Sequence, residues 1–216
     1  MHCVAVIDYG MGNLRSVSKA LEAVADNHTN ILVTADPSEI RAADHIVFPG
    51  VGAIRDCMAE LKKLELDKLI CEMASKKPFL GICLGMQALL THSQENQGSA
   101  GLDIIEGDVL YFEQAVEQGL KVPHMGWNQV EQAVDHPLWQ DIPQNSWFYF
   151  VHSFYVQPAD ETKISGRSHY ALPFAAALAH ENLFAVQFHP EKSQDAGLSI
   201  LHRFIASLGA DHRISA

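Results

Sequence analysis

Cys83 sits in Phe79-Leu80-Gly81-Ile82-Cys83-Leu84-Gly85-Met86-Gln87, an apolar run with a glycine two residues before the thiol and another two after it. That spacing suits a sharp strand-to-helix turn, because a Cβ at either flank would clash where the backbone doubles back. The turn lifts the side chain above the end of the strand. It also brings the sulfur near the first free N–H groups of the helix expected over Met86–Ser93, whose local field favours a thiolate. The chemistry would be nucleophilic attack on an acyl carbon. The competing reading is a small apolar core residue, since free cysteine is among the most buried types. The stretch alone leaves both open. Cys3, in the first strand, and Cys57 and Cys71, in helical stretches, read as core.

A thiolate nucleophile needs a histidine to manage protons, and the histidine needs a group to orient it. Of twelve histidines, His189 has an evident orienting partner, in Ala185-Val186-Gln187-Phe188-His189-Pro190-Glu191. Pro190 biases His189 towards extended backbone, and residues i and i+2 of an extended segment share a side. Glu191 can then hold one ring nitrogen and leave the other outward, raising the imidazolium population. The bland alternative is an exposed salt-bridging glutamate. An oxyanion site could take one N–H from Leu84 and another from Pro49-Gly50-Val51-Gly52, where the glycines let backbone approach a substrate closely. An ordinary strand-ending turn has the same composition.

These groups lie far apart in sequence, so the elements must gather them. Short apolar runs at Val4–Asp8, Ile31–Val33, His45–Phe48 and Phe79–Cys83 read as buried strands. Between them lie helical stretches: Leu14, Val17, Leu21 and Val24 on one face after a possible Asn13 cap, a short helix from Asp36-Pro37, then Ala53–Lys63 and Asp67–Lys76. Alternation of this kind indicates α/β with a mostly parallel central sheet and flanking helices. In such a sheet, functional groups collect at the carboxyl ends of the strands, where Cys83 lies. From about Leu102 shorter strands follow at Asp108–Phe112, Gln129–Gln132, Phe148–Gln157 and Phe174–Leu178, expected as a smaller antiparallel sheet. Phe184–His189 is a further strand, and Gly197–Ser207 a closing helix whose apolar set ends at Leu208. Residues 1–216 read as one domain.

The composition excludes several classes. The chain has 216 residues, 48% hydrophobic and 19% charged, as in a globular protein with a sizeable core. A net charge of −11 argues against a nucleic-acid binder, which needs a basic footprint. No apolar run reaches membrane-spanning length, and the N-terminus lacks the pattern of a signal peptide. Four cysteines without a C-x-x-C pair make no disulfide framework, which fits a reducing cytoplasm. The histidines form no metal-binding pattern, so neither metal nor cofactor is expected. Gly10-x-Gly12 follows a strand as a dinucleotide fingerprint would, but Arg15 stands where the third glycine belongs.

Three segments, "PGVG", "GICLGMQ" and "FHPE", resemble in order and rough spacing the class I, triad-type glutamine amidotransferases, over the whole chain. "VIDYGMGNLRSV", "FPGVGA", "PHMGWN", "FYFVHSFY" and "QFHPEKSQ" are further similar to one branch, the glutaminase subunits of imidazole glycerol phosphate synthases. "YGMGN" and "PHMGWN" weigh against the branches serving pyridoxal phosphate or nucleotide synthesis. The resemblance implies a flavodoxin-like fold, a Cys83–His189–Glu191 triad acting on L-glutamine, and an oxyanion hole from Val51, Gly52 and Leu84. It implies substrate contacts at Gln87, Glu95, Ser153 and Phe154, the Glu95 alignment crossing a loop. It implies a (β/α)8-barrel cyclase partner that receives ammonia, faced by Asn13, Met125, Trp127, Tyr149 and Lys192. It also implies a free glutaminase that is nearly silent, and Val51 between two glycines could turn its N–H into or out of the oxyanion hole. Read from residues alone, Pro123–Asn128 is a loop whose Met125 and Trp127 are core or interface anchors, with a lean towards core.

Overall fold

The structure, a computed structural model, describes residues 2–207. Leu208, expected at the end of the closing helix, lies outside them. The elements are β1 (His2–Ile7), α1 (Leu14–Val24), β2 (Thr29–Thr34), α2 (Pro37–Ala42), β3 (His45–Gly50), α3 (Ile54–Lys63), α4 (Leu66–Ala74), β4 (Phe79–Cys83) and α5 (Leu84–Gln87). There follow β5 (Leu90–Ser93), β6 (Ser99–Ala100), β7 (Ile105–Tyr111), α6 (Glu113–Glu117), β8 (His124–Gln132), β9 (Ser146–His152) and β10 (Phe154–Pro158). The chain closes with β11 (Ile164–Tyr170), β12 (Leu172–His180), β13 (Leu183–Val186) and α7 (Gln194–Ala206).

Strands β2-β1-β3-β4-β13 lie side by side and all run parallel. Every residue of β3, β4 and β13 is buried, as continuous apolar strands covered on both faces must be. Side chains alternate across the sheet with a period of two. Ala5 and Ile7 of β1 face a core built with Ile40 of α2, Ile54 and Leu61 of α3, and Leu66 and Ile70 of α4. Val4 and Val6 face the other core, with Val17 and Leu21 of α1 and Ile200, Leu201 and Phe204 of α7. The result is three layers, helix–sheet–helix.

Beyond β13 most of the strands pair antiparallel. β12 pairs antiparallel with β13, and β10, β7, β5 and β6 extend the same sheet. β8 and β9 make a two-stranded ribbon, joined to the rest through β11 at Gly166↔Gln132 and Arg167↔Glu131.

The helix expected over Met86–Ser93 is not there. α5 ends at Gln87, and Leu90–Ser93 is strand β5. The carbonyls of Ala88, Leu89, Leu90 and Thr91 accept from the N–H groups of Leu102, Ile104 and Ile105, Asp103, and Gly101. A segment a dozen residues downstream thus takes the acceptors a helix would need, and tertiary pairing overrides helix propensity. Phe148–Gln157 is two strands interrupted at Ser153. The expected loop Pro123–Asn128 is strand from His124 onward. The expected strand Phe184–His189 starts at Leu183 and stops at Val186, and the closing helix begins three residues earlier than expected, at Gln194. Asn13 holds the N-cap position of α1 but makes no side-chain cap hydrogen bond.

Candidate functional site

Parallel pairing of β3, β4 and β13 puts the ends of all three on one edge of the sheet. Gly50, the last residue of β3, lies opposite Cys83, the last of β4. β13 flanks β4 on the other side, and the chain reaches His189 three residues beyond its end. Sheet topology therefore gathers the three segments that the sequence separates.

Cys83 has φ 54° and ψ −108°, a conformation rare for a residue with a side chain. Strain of this kind costs roughly 1–3 kcal/mol and persists only where the surroundings impose it. Here they do. A Cβ on Gly85 would lie 1.9 Å from the Phe48 carbonyl oxygen, so the turn after Cys83 lies directly on β3. A Cβ on Gly50 would lie 2.5 Å from the Tyr9 hydroxyl and 2.9 Å from Leu84 Cβ, which packs the third strand's end onto the same elbow. Because α5 is only four residues long, any positive field at the sulfur comes from a few local N–H groups rather than from a long helix.

His189 and Glu191 are both buried, and His189 Nδ1 lies 2.8 Å from Glu191 Oε1. A carboxylate accepts only, so Nδ1 carries the proton towards it and Nε2 is the nitrogen left free. Nε2 has no hydrogen-bond partner among the described residues. Glu191 reaches the ring by a different route from the expected extended segment: His189 is extended, with φ −101° and ψ 98°, but Pro190–Lys192 is a 3₁₀ turn. Burial alone would push the imidazole down, but neighbouring Cys83 and Glu191 outweigh it and raise it to about 10. That direction favours the imidazolium, a form that can protonate a leaving amine.

Cys83 and His189 line one cavity of about 420 Å³. Its walls include Val51, Gly52, Leu84, Gln87, Glu95, Ser153 and Phe154, every residue expected for the oxyanion hole and the substrate. Glu191 stands behind His189. Gly52 has φ +100°, backbone that favours glycine. Gln87 donates from Nε2 to the Phe154 carbonyl at 3.1 Å. Glu95 accepts from the Ile54 N–H at 2.8 Å, which fixes its carboxylate beside the Val51–Gly52 turn.

The sequence reading missed two buried polar groups here. His152 lines the cavity, bonds the Phe154 carbonyl through Nδ1 at 2.7 Å and meets His124 Nδ1 through Nε2 at 2.9 Å. Gln187 lies against Cys83. Its signal was a polar residue inside an otherwise apolar run, two before His189. Among the described residues no group of His, Cys, Asp and Glu is arranged to hold a metal ion.

Outside the cavity, Met125 (63% exposed) and Trp127 (44%) project from β8, which corrects the lean towards core. Trp147 on β9 is 54% exposed beside them. Trp127 packs edge-on against Tyr149, and Lys192 Nζ lies 5.8 Å from the centre of the Tyr149 ring. Asn13 is half-buried in the turn after β1.

A family profile described as "Glutamine amidotransferase class-I" matches residues 5–208. The chain belongs to the class-I glutamine amidotransferases. Within that family it is 59% identical to the protein named imidazole glycerol phosphate synthase subunit HisH of Pseudomonas syringae pv. syringae, over 95% of this chain and 98% of that one. It is 59% identical to the HisH subunit of Nitrosococcus oceani, over 95% and 97%. Among solved structures, PurLQS from Thermotoga maritima has a TM-score of 0.72 at 16% identity, covering 96% of this chain and 99% of that one. A putative GMP synthase protein from Thermoplasma acidophilum has 0.70 at 20% identity, covering 95% and 93%. Those two share the fold, and the HisH relatives place this amidotransferase in its branch.

Proposed function

We propose that the chain, as a single amidotransferase domain over residues 1–216, hydrolyses L-glutamine through Cys83, His189 and Glu191 and hands the ammonia to a separate cyclase subunit in L-histidine biosynthesis. Cys83 Sγ attacks the side-chain amide carbon. Backbone N–H groups of Leu84 and the Val51–Gly52 turn hold the oxyanion. The His189 imidazolium protonates the amine, which leaves as ammonia. Water, deprotonated by His189, then cleaves the γ-glutamyl thioester to glutamate and returns the thiol. Glu191 keeps the ring in one orientation throughout. Gln87, Glu95, Ser153 and Phe154 hold the substrate, with Glu95 facing its α-ammonium.

The observation that carries this reading is the buried His189–Glu191 pair, in which His189 Nε2 has no hydrogen-bond partner among the described residues and His189 shares a cavity with a thiol on a strained elbow. The partner is a (β/α)8 barrel that docks on Met125, Trp127, Tyr149, Lys192 and Asn13. The ammonia and a phosphoribulosyl aminoimidazole-carboxamide nucleotide there give imidazole glycerol phosphate and an aminoimidazole-carboxamide ribotide. The reducing cytoplasm suits the unpaired thiol. Until the partner docks, the Val51 peptide keeps the oxyanion hole incomplete.

Glutamate release by the wild type and by Cys83→Ala, each with and without the cyclase subunit, tests the scheme. We expect little turnover by the isolated wild type, strong turnover in the complex, and none from Cys83→Ala. Turnover surviving in Cys83→Ala would overturn the nucleophile, and full turnover without a partner would overturn the gating.

A further inference from the structure

Gln187 has no part in the scheme above, yet it is wholly buried beside the nucleophile. Its backbone N–H donates to the Ala176 carbonyl at 2.9 Å, which anchors the residue where β13 ends. Both ends of its side-chain amide are occupied. Nε2 donates to Cys83 Sγ at 3.7 Å, and Oε1 accepts from Gln87 Nε2 at 3.0 Å.

The direction of this chain is set by its end. The Phe154 carbonyl can only accept, and Gln87 Nε2 donates to it. The same Nε2 needs a second acceptor, which is Gln187 Oε1. Gln187 must then present its NH₂ to the sulfur. Turning Gln87 over would set its oxygen against the Phe154 carbonyl, and turning Gln187 over would set nitrogen against nitrogen at Gln87 and remove the donor from the thiol. A buried amide is costly unless bonded at both ends, and an apolar side chain would fill the same space without that demand. A polar residue at this point therefore calls for a polar task, and among the described residues the one side chain it hydrogen-bonds besides Gln87 is Cys83.

We propose that Gln187 is a positioning residue for the nucleophile: its side-chain N–H holds the Cys83 sulfur as a thiolate aimed into the cavity, and its carbonyl ties that hold to Gln87 on the substrate wall. The inference rests on Cys83 being the nucleophile. A neutral donor stabilises the thiolate without placing a second positive charge beside the His189 imidazolium. It also links the two sides of the cavity, because a substrate that orders Gln87 orders the clamp on the sulfur.

The test is the rate at which iodoacetamide alkylates Cys83 in the full chain, followed on the Cys83 peptide by mass spectrometry across pH. Gln187→Met and Gln187→Leu both remove the amide and keep the volume near that of glutamine, so either one that folds carries the test. The pH profile is expected to move to higher pH, with alkylation at pH 7 falling roughly tenfold, the usual scale for a hydrogen bond to a charged acceptor. In the cyclase complex kcat should fall more than KM for glutamine rises. A lower melting temperature with an unmoved alkylation profile would mean that Gln187 only fills space, and would overturn the inference alone. A wild-type Cys83 that iodoacetamide does not modify at any pH would overturn the nucleophile as well.

Discussion

Glu191 shows what a single buried carboxylate does for the site. It holds His189 Nδ1 at 2.8 Å and is one of the two groups that raise the imidazole to about 10. A base whose folded value exceeds its ordinary one, near 6.5, binds more protons folded than unfolded. Its stabilisation is complete below about pH 6.5 and is lost as pH rises through about 10. Replacing Glu191 by Gln keeps the shape but removes the charge. We expect Glu191→Gln to lower kcat on the order of 10²-fold, the low end for a positioned acid–base group. The variant should be about 2 kcal/mol less stable than wild type at pH 6, the gap closing towards pH 10. Denaturant midpoints of both proteins at those two pH values check the second point, and an unchanging gap would contradict it. At this scale the sequence was nearly transparent. Gly81, Gly85, His189 and Glu191 point to their proposed roles by type and spacing. Gln187 and His152 did not, because a lone polar residue in an apolar strand has no meaning until the fold supplies its neighbour.

The elements explain why the elbow tolerates so little change. Gly85 lies where β4 turns onto β3, and a Cβ there would meet the Phe48 carbonyl at 1.9 Å. Gly10 also has a positive φ, +84°, but nothing lies within 4 Å of its missing Cβ. We expect Gly85→Ala to destabilise by about 3 kcal/mol through forced backbone movement and to abolish glutamine hydrolysis. Gly10→Ala should cost only about 1 kcal/mol, for the left-handed backbone alone. Thermal unfolding of the two variants separates them, and equal losses would show that close packing at the elbow is not the constraint. The parallel strands and their helices were legible because each is a local pattern: an apolar run, an amphipathic face, a glycine turn. The segment after Gln87 was not, since its fate depends on Gly101–Ile105. From residues alone Met125 and Trp127 lean towards core for a related reason, although the resemblance sets them at the interface. On a ribbon, alternate residues point outward, but the alternation Met125-x-Trp127 is too short to distinguish from a loop until Trp147-x-Tyr149 is seen beside it.

Across the whole molecule, several histidines are buried and neutral. Burial lowers His45, His124 and His136 to about 4, and His152 to about 3. The sign is opposite to that of His189. These bases bind fewer protons folded than unfolded, so stability is unaffected above about pH 6.5 and drains away as pH falls from there towards 4. Each can contribute up to about 1.4 kcal/mol per pH unit over that window. We expect the urea midpoint to drop steeply between pH 7 and pH 5, with protons taken up on unfolding. A flat midpoint over that range would mean that the histidines gain solvent or partners on acidification. The ribbon of β8 and β9 has a consequence of another kind. The Tyr149 carbonyl accepts from the His189 N–H, and the Tyr149 N–H donates to Ser193 Oγ, while the Tyr149 ring lies outside against Trp127 and Lys192. The ribbon pairs with the sheet beyond it through two residue pairs to β11, and its inward Phe148 and Phe150 pack on Phe188. It is a beam, with the proposed catalytic base hydrogen-bonded to its backbone on one side and the proposed docking surface on the other. In the proposed complex a load on that surface would reach His189 through the Tyr149 backbone, without a route through either core.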